Sequence, residues 1–409
     1  MSLRLLSSTT MNGPSAFNSN DEAIELDLLV YDEWSSAHRD APGSAQLLPI
    51  IERASALLSG RPLSIRTRKP FSPTDAVMDI ELDDGRSAFV RILVRDDEDP
   101  AKEDWKRSRL FAELSILRWL QANAPGVPVP SVLAFDDPNS MLITTLLPGL
   151  DALHAYPHLN PSAKEHSVIS WARLSVLMFR LPAPQRRFSL IENPLLPTSY
   201  YSISPEHVFQ IDESASLRSF FAKAVSARRA RSTSSNNAEA QEILSRRLDR
   251  LLDGLKLDIA LAEETPYLTR SALTHCDLRA SNVILDQTSG EVAGIVDWEF
   301  NAAMPACMSV QYPDWIRYSI IESSLYHNPR STFQTVYVES RENRNRLCDL
   351  YEKTVKKLDE EYYHCLIRGI RLRDALAWIE NPGSDNDGFA MNLWVESHLF
   401  GSETNHRCA

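Results

Sequence analysis

The residues from His275 to Glu299 constrain this chain more than any other part of its sequence. Apolar runs at 272–274 and 283–285 predict two short strands, so the polar segment between them is predicted to be a loop. The turn at 287–290 reverses the chain, and a third predicted strand at 292–296 delivers an aspartate at its end. Loop and hairpin are therefore expected to face one cleft.

Three polar side chains lie where this loop and hairpin meet, namely Asp277, Asn282 and Asp297. Mg²⁺ takes hard oxygen ligands and usually only one or two protein carboxylates, which Asp297 and Asn282 would satisfy. Asp277 would lie beside an acceptor hydroxyl and accept its proton during phosphoryl transfer. His275 is predicted to be structural. In the alternative interpretation, Asp277 and Asn282 only cap their own turn and Asp297 is a loop acid.

Beyond these residues, the sequence resembles the aminoglycoside phosphotransferase and choline kinase superfamily, and in particular its fungal branch. The shared elements are Asp297-Trp298-Glu299-Phe300, Tyr312-Pro313-Asp314-Trp315, Gly126-Val127-Pro128-Val129-Pro130 and Leu147-Pro148-Gly149. The resemblance implies an α+β, protein-kinase-like fold of two lobes, with a small antiparallel-sheet N-lobe and a mainly helical C-lobe. It also implies a phosphotransferase that uses ATP and Mg²⁺ and acts on an alcohol group of a small-molecule substrate.

The implied lobes divide the chain into three parts. Residues 1–44 are predicted to be a flexible tail, residues 45–147 the N-lobe and residues 148–409 the C-lobe. The C-lobe would carry the catalytic loop at 275–282 and the metal-binding segment at 297–299.

Apolar periodicity predicts the principal elements of each lobe. In the N-lobe it predicts a helix at 45–58, strands at 63–68, 77–82 and 88–94, and a long helix at 104–123. In the C-lobe it predicts helical stretches at 161–179, 239–263 and 340–379. The segment at 226–237 is rich in Arg, Ser and Asn, and it is predicted to be a mobile loop.

Arg91 and Glu113 are the predicted cation and bracing carboxylate on the nucleotide side of the cleft. In the kinase architecture that the resemblance implies, the third strand carries a cation for the phosphates and a helix glutamate supports it. Arg91 lies in the apolar run 89–93, where a buried charge needs a partner. The alternative is that Arg91 points to solvent and Glu113 is an exposed helix residue.

The segment at 70–75, between the first two strands of the N-lobe, contains no glycine. Backbone amides that cradle phosphates usually need glycine for close approach. Nucleotide contacts would therefore fall to Ser72 and Thr74, unless the segment is only a turn. The lack of glycine in this segment keeps two alternatives open. One is a pseudokinase or small-molecule-binding protein that retains the fold, and the other is a kinase-like fold adapted to other small-molecule chemistry.

Glu299, Asp314 and Trp315 are weaker candidates for substrate contact, because acids pair with amines and aromatic rings stack on ligands. The formal net charge of −12 argues against a general nucleic-acid partner. Five scattered cysteines favour a reducing compartment, and no apolar run is long enough to predict a membrane span. A cytoplasmic protein is therefore expected. The sequence leaves the substrate identity and the oligomeric state open.

Overall fold

The computed structural model describes most of the chain. The described residues are 27–30, 44–68, 75–93, 100–181, 199–201, 209–211, 216–232, 238–316, 339–380 and 388–400. Ser72 and Thr74 lie outside these ranges, so their predicted nucleotide contacts stay predictions.

A six-stranded sheet and two helices form the N-lobe. In chain order its elements are β1 (Asp27–Val30), α1 (Ser44–Leu58), β2 (Pro62–Arg68), β3 (Asp75–Leu82), β4 (Ser87–Leu93), α2 (Pro100–Asn123), β5 (Val132–Asp136) and β6 (Met141–Thr145). The strand order is β1-β2-β3-β4-β6-β5, and every neighbouring pair is antiparallel. The predicted antiparallel N-lobe is confirmed.

The first strand corrects the predicted tail, which is wrong over residues 27–30. β1 pairs with β2 in a register that places Leu29 opposite Ile65. Its sequence, Asp-Leu-Leu-Val, has the apolar character of a strand. Pairing with β1 occupies backbone groups of β2 that an open sheet edge would leave without partners.

The C-lobe is built mainly from helices. Its elements are β7 (Leu150–Asp151), α3 (Ala152–Ala155), α4 (Pro161–Phe179), β8 (Ser199–Tyr201), β9 (Phe209–Ile211), α5 (Leu217–Ser232), α6 (Ala238–Glu263), α7 (Pro266–Thr269), β10 (Ser271–His275), β11 (Val283–Leu285), β12 (Val292–Ile295), β13 (Asn301–Pro305), α8 (Ala306–Ser309), α9 (Arg341–Leu358), α10 (Glu360–Arg368), α11 (Ile370–Glu380) and α12 (Phe389–His398). Trp171, Trp298 and Trp315 are among its fully buried side chains. None of the helices in the described ranges has the length and apolar character that a membrane crossing requires.

The predicted mobile loop at 226–237 is wrong over residues 226–232, because α5 continues to Ser232. Two of the arginines in this part of α5 are held by the fold. Arg228 is buried, and Arg229 contacts the Asp249 carboxylate at 2.6 Å. The remainder of the predicted loop, 233–237, lies outside the described residues.

The predicted helical stretch at 340–379 consists of three helices. The first break falls at Asp359, whose side chain accepts a hydrogen bond from the Tyr362 N–H and so caps α10. The second break falls at Gly369, between α10 and α11. The amphipathic pattern continues through both breaks, which explains why periodicity alone did not reveal them.

Two glycines allow close backbone packing around the β11–β12 hairpin. Gly149 has a φ of 120°, and a Cβ there would collide with the Leu285 carbonyl oxygen. On the other side, a Cβ at Gly294 would lie 2.9 Å from the Pro128 carbonyl oxygen, which accepts a hydrogen bond from the Ile295 N–H at 2.9 Å. The hairpin is therefore packed against both Pro128 and the linker that enters the C-lobe.

Candidate active site

The loop at 275–282 joins β10 to β11 and closes on itself through Asn282. The Asn282 side-chain amide donates to the Asp277 carbonyl oxygen at 2.7 Å and lies 3.4 Å from an oxygen of the Asp277 carboxylate. A 3₁₀ turn at Ala280–Asn282 leads directly into β11. The structure thus brings together two of the side chains that the sequence predicts to share the cleft.

His275 connects this loop to the end of the neighbouring hairpin. Its Nε2 lies 3.0 Å from the Val296 carbonyl oxygen, and its Nδ1 accepts a hydrogen bond from the Asp277 N–H at 3.3 Å. These partners assign the proton to Nε2 of a neutral ring. Burial lowers the pKa of His275 and so favours the neutral form. The imidazole therefore fixes the spacing between Asp277 and the segment that carries Asp297.

Asp297 follows β12 in an unusual backbone conformation. Its φ is 63°, in the left-handed region, which costs roughly 1–2 kcal/mol but is tolerated best by glycine, asparagine and aspartate. The Val296 N–H donates to the Asn282 carbonyl oxygen at 2.9 Å, and the buried Trp298 indole donates to the Ile295 carbonyl oxygen at 3.1 Å. These anchors on either side hold the Asp297 backbone beside the loop.

Asn282 and Asp297 offer an oxygen set that fits Mg²⁺. The Asn282 amide nitrogen is used within the loop, so its Oδ1 is the atom suited to coordinate a cation. Together with the Asp297 carboxylate, it provides the small number of protein oxygens that Mg²⁺ commonly takes. No group of three or more His, Cys, Asp or Glu side chains that could hold a metal ion occurs in the described part of the chain. Mg²⁺ usually takes its other ligands from water and substrate phosphates.

Arg91 and Glu113 are both buried, with 9% and 7% of their surfaces exposed, so the alternative that they face solvent is wrong. One terminal nitrogen of Arg91 lies 3.0 Å from a Glu113 oxygen and 3.3 Å from an Asp297 oxygen. The other terminal nitrogen contacts Glu299. The planar guanidinium can span three carboxylates, which the compact ammonium of lysine cannot do in the same way.

The three residues predicted as weak substrate contacts have other partners. Glu299 forms ion pairs with Arg91 and Arg109. The Asp314 carboxylate accepts a hydrogen bond from the Ala280 N–H at 3.0 Å and so supports the loop at 275–282. The predicted substrate contact of Trp315 is wrong, because its ring is 1% exposed and packs against other rings of the core.

Sequence reasoning missed three side chains near the site. Arg279 lies in the loop at 275–282, and its Nε is 2.6 Å from the Asp277 carboxylate. Gln311 donates to the Leu278 carbonyl oxygen at 2.9 Å, which no sequence pattern indicated. Arg109 precedes Glu113 by one helical turn, and this spacing could have identified it as a neighbour of the predicted pair.

The pKa of Glu113 leads to a pH-dependent prediction. Burial raises this pKa from 4.5 to about 6, although the nearby Arg91 guanidinium opposes the shift. The folded state then binds the proton more tightly than the unfolded state does. Protonation of Glu113 therefore adds about 2 kcal/mol to the free energy of unfolding below pH 4.5. This contribution is lost as the pH rises through about 6.

Urea denaturation of the metal-free protein between pH 4 and pH 7 would measure this effect. Glu113→Gln removes the titrating group while keeping its shape, so wild-type stability is expected to fall relative to the variant across this range. Parallel stability profiles for the two proteins would contradict the shift.

The part of the chain that contains this loop and hairpin matches a protein-family model. The model of the phosphotransferase enzyme family (APH) matches residues 75–307, which is more than half of the chain. The matched range begins in β3 and ends in α8, so it contains Arg91, Glu113 and the entire segment from His275 to Glu299.

Individual relatives extend over most of the chain. "Clavilactone A biosynthesis cluster protein Y" from Ampulloclitocybe clavipes is 27% identical over 385 residues, which cover 90% of each chain. The streptomycin–ATP–APH(2")-IIa ternary complex and ADP-bound aminoglycoside phosphotransferase APH(2'')-Ib each align with a TM-score of 0.51 and 11% identity. Both alignments cover 86% of this chain, and they cover 98% and 99% of the respective structures. At this identity the structural likeness concerns the fold, and it confirms the kinase-like architecture.

Proposed function

Because the chain belongs to the phosphotransferase enzyme family, we propose that it transfers the terminal phosphoryl group of ATP to a hydroxyl group of a small molecule in the presence of Mg²⁺. One observation carries the proposal: Asp277 and Asn282 share a hydrogen-bonded loop, and His275 and Val296 hold Asp297 beside it. Similar folds whose structures contain ATP or ADP support the choice of nucleotide.

Asp277 would act as the base of this reaction. As the acceptor oxygen bonds to the terminal phosphorus, the bond from that phosphorus to its bridging oxygen breaks and ADP leaves. The hydroxyl proton passes to the Asp277 carboxylate. Arg279 at 2.6 Å and the Asn282 amide at 3.4 Å contact this carboxylate through different oxygens, which fixes its orientation.

Asn282 and Asp297 would hold Mg²⁺, which neutralises charge on the phosphates when it is bound. Arg91 would supply a second positive charge on the N-lobe side, supported by Glu113. Because Arg91 contacts three carboxylates, phosphate binding at this guanidinium would compete with those contacts. This competition is the observation that favours the second candidate, a protein that binds a small molecule without transferring phosphate.

Thermal melting with and without ATP and Mg²⁺ distinguishes the two candidates at the binding step. A ligand that binds only the folded state stabilises it by RT ln(1 + [L]/Kd), or about 2.7 kcal/mol at a hundredfold excess over Kd. We expect a clear rise in melting temperature with ATP and Mg²⁺, and a smaller rise when EDTA removes the metal. Absence of any rise at millimolar ATP would contradict the proposal.

A screen for ADP formation then tests transfer and identifies the acceptor. Amino alcohols, sugars and aminoglycosides provide hydroxyl groups with different neighbouring charges. At least one class should increase ADP formation above the rate with water alone. Nucleotide binding without ADP formation against any acceptor would favour the binding protein.

A further inference from the structure

Five charged side chains form one cluster between the N-lobe helix α2 and the segment that follows β12. This cluster, called the interlobe charge cluster, contains Arg91, Arg109, Glu113, Asp297 and Glu299. The proposed reaction gives roles to three of its members, Arg91, Glu113 and Asp297. It gives no role to Arg109, although this side chain reaches from α2 to the metal-binding segment.

Arg109 contacts that segment in two ways. Its guanidinium forms an ion pair with one oxygen of Glu299, and its central carbon lies 3.4 Å from the centre of the Phe300 ring. A guanidinium over an aromatic face is attracted by the ring electrons as well as by neighbouring carboxylates. The side chain is 16% exposed, so these contacts are only weakly screened by water.

Glu299 connects the two arginines of the cluster. One of its oxygens contacts Arg109 and the other contacts Arg91, so both oxygens of this buried carboxylate are paired. Loss of Arg109 would leave Glu299 with the attraction of Arg91 alone. Arg91 would then be drawn further toward Glu299 and away from the carboxylates of Glu113 and Asp297.

The spacing along α2 makes this arrangement sensitive to the position of the helix. Arg109 and Glu113 are four residues apart and therefore lie on the same helix face. The cation faces Glu299, and the anion faces Arg91. Both ion pairs start from the same helix. A shift of α2 would therefore weaken them together.

We infer that Arg109 is a positioning residue for the proposed phosphoryl transfer. By holding Glu299 and Phe300, it sets the orientation of Arg91 and, through Arg91, of the Asp297 carboxylate. This inference rests on the proposed function. In this inference Glu299 supports the metal-binding segment. The sequence had instead predicted that Glu299 contacts the substrate.

The test compares Arg109→Met with Arg107→Met. Methionine keeps an unbranched side chain but removes the charge. Arg107 lies on the same helix and forms an exposed ion pair with Asp137, so it provides a matched control. Calorimetric titration with ATP at several Mg²⁺ concentrations, well below the melting temperature, gives the metal dependence of nucleotide binding. Loss of an outer-shell partner typically changes metal affinity about 10–100-fold, so Arg109→Met should raise the required Mg²⁺ concentration by about 10-fold or more.

Two further variants separate positioning from a general effect on folding. Arg109→Lys keeps the charge but loses the planar fork, and it should shift the Mg²⁺ requirement in the same direction by a smaller factor. This variant decides the question if Arg109→Met does not fold. Glu299→Gln removes the carboxylate that links the two arginines, so Arg91 loses its fixed position and the Mg²⁺ requirement should also rise. The double variant should be no worse than the stronger single variant, because both substitutions break one linkage.

The outcomes identify which proposal has failed. A wild-type protein that binds no ATP would overturn both the proposed function and this inference. Normal wild-type binding, together with a Mg²⁺ requirement in Arg109→Met and Arg109→Lys equal to that of Arg107→Met, would overturn the inference alone. Additive effects of Arg109→Met and Glu299→Gln would also overturn it, because the two residues would then act independently.

Discussion

Asp277→Asn is expected to lower the rate of phosphoryl transfer by about 10²–10⁴-fold, the usual contribution of a general base. Asparagine keeps the size of the side chain but cannot accept the proton of an acceptor hydroxyl. ATP binding should persist, because the predicted metal ligands are Asn282 and Asp297. Turnover with the acceptor found by the screen, and calorimetric titration with ATP, would measure the two effects separately.

Asp286→Asn provides the control for this substitution. Asp286 lies in the turn of the β11–β12 hairpin, where its carboxylate accepts hydrogen bonds from Thr288 and Ser289. The same chemical change at that turn should leave the rate nearly unchanged. If Asp277→Asn kept wild-type turnover, the proposed base would be wrong even if the protein proved to be a kinase.

Asp297→Asn is expected to abolish Mg²⁺-dependent stabilisation by ATP. Asparagine also tolerates a left-handed backbone, so the substitution tests the carboxylate more than the φ of 63°. The loss of Mg²⁺ affinity should exceed the roughly 10–100-fold that removal of an outer-shell partner costs. Melting curves with ATP over a range of Mg²⁺ concentrations would show it.

The contrast between the two variants makes the prediction specific. Asp277→Asn should retain the response of melting temperature to ATP and Mg²⁺, whereas Asp297→Asn should lose it. A wild-type Mg²⁺ response in Asp297→Asn would contradict the assignment of this carboxylate to the metal.

The parts of the site that the sequence revealed are those formed by local geometry. Asp277 and Asn282 lie in one loop, and Asp297 follows on the next hairpin, so short-range strand and turn patterns were sufficient to bring them together. Arg91 could be linked to Glu113 because a charge in an apolar strand needs a partner. The strand and turn patterns act over short distances along the chain. A charge in an apolar strand instead limits strongly which residues can be its partner.

Several contacts that the sequence did not reveal join distant segments. Arg91 and Glu299 are 208 residues apart, and Asp314 reaches back 34 residues to the Ala280 N–H. No periodicity encodes such pairs. Trp315 shows the same limit, because an aromatic residue in a recognisable motif can equally fill the core, and here it does.

Errors in the element predictions have a related cause. The residues at 226–232 include no large apolar side chain, yet they extend a helix whose earlier turns pack Phe220 and Phe221 into the core. Ala227, Ala230 and the three arginines among them have high helix propensity, which the missing apolar pattern obscured. β1 is only four residues long, and its apolar residues became recognisable as a strand only through pairing with β2.

The junction at Gly294 and Pro128 has a consequence for how this protein can vary. Its hydrogen bond joins the Ile295 N–H to the Pro128 carbonyl oxygen, so it depends on no side-chain functional group. Most exchanges of side chains nearby would therefore leave it intact. A single added methyl group at Gly294 would meet both the Pro128 oxygen and the Leu147 side chain. The junction should thus tolerate many substitutions at neighbouring positions but not the addition of a methyl group at Gly294.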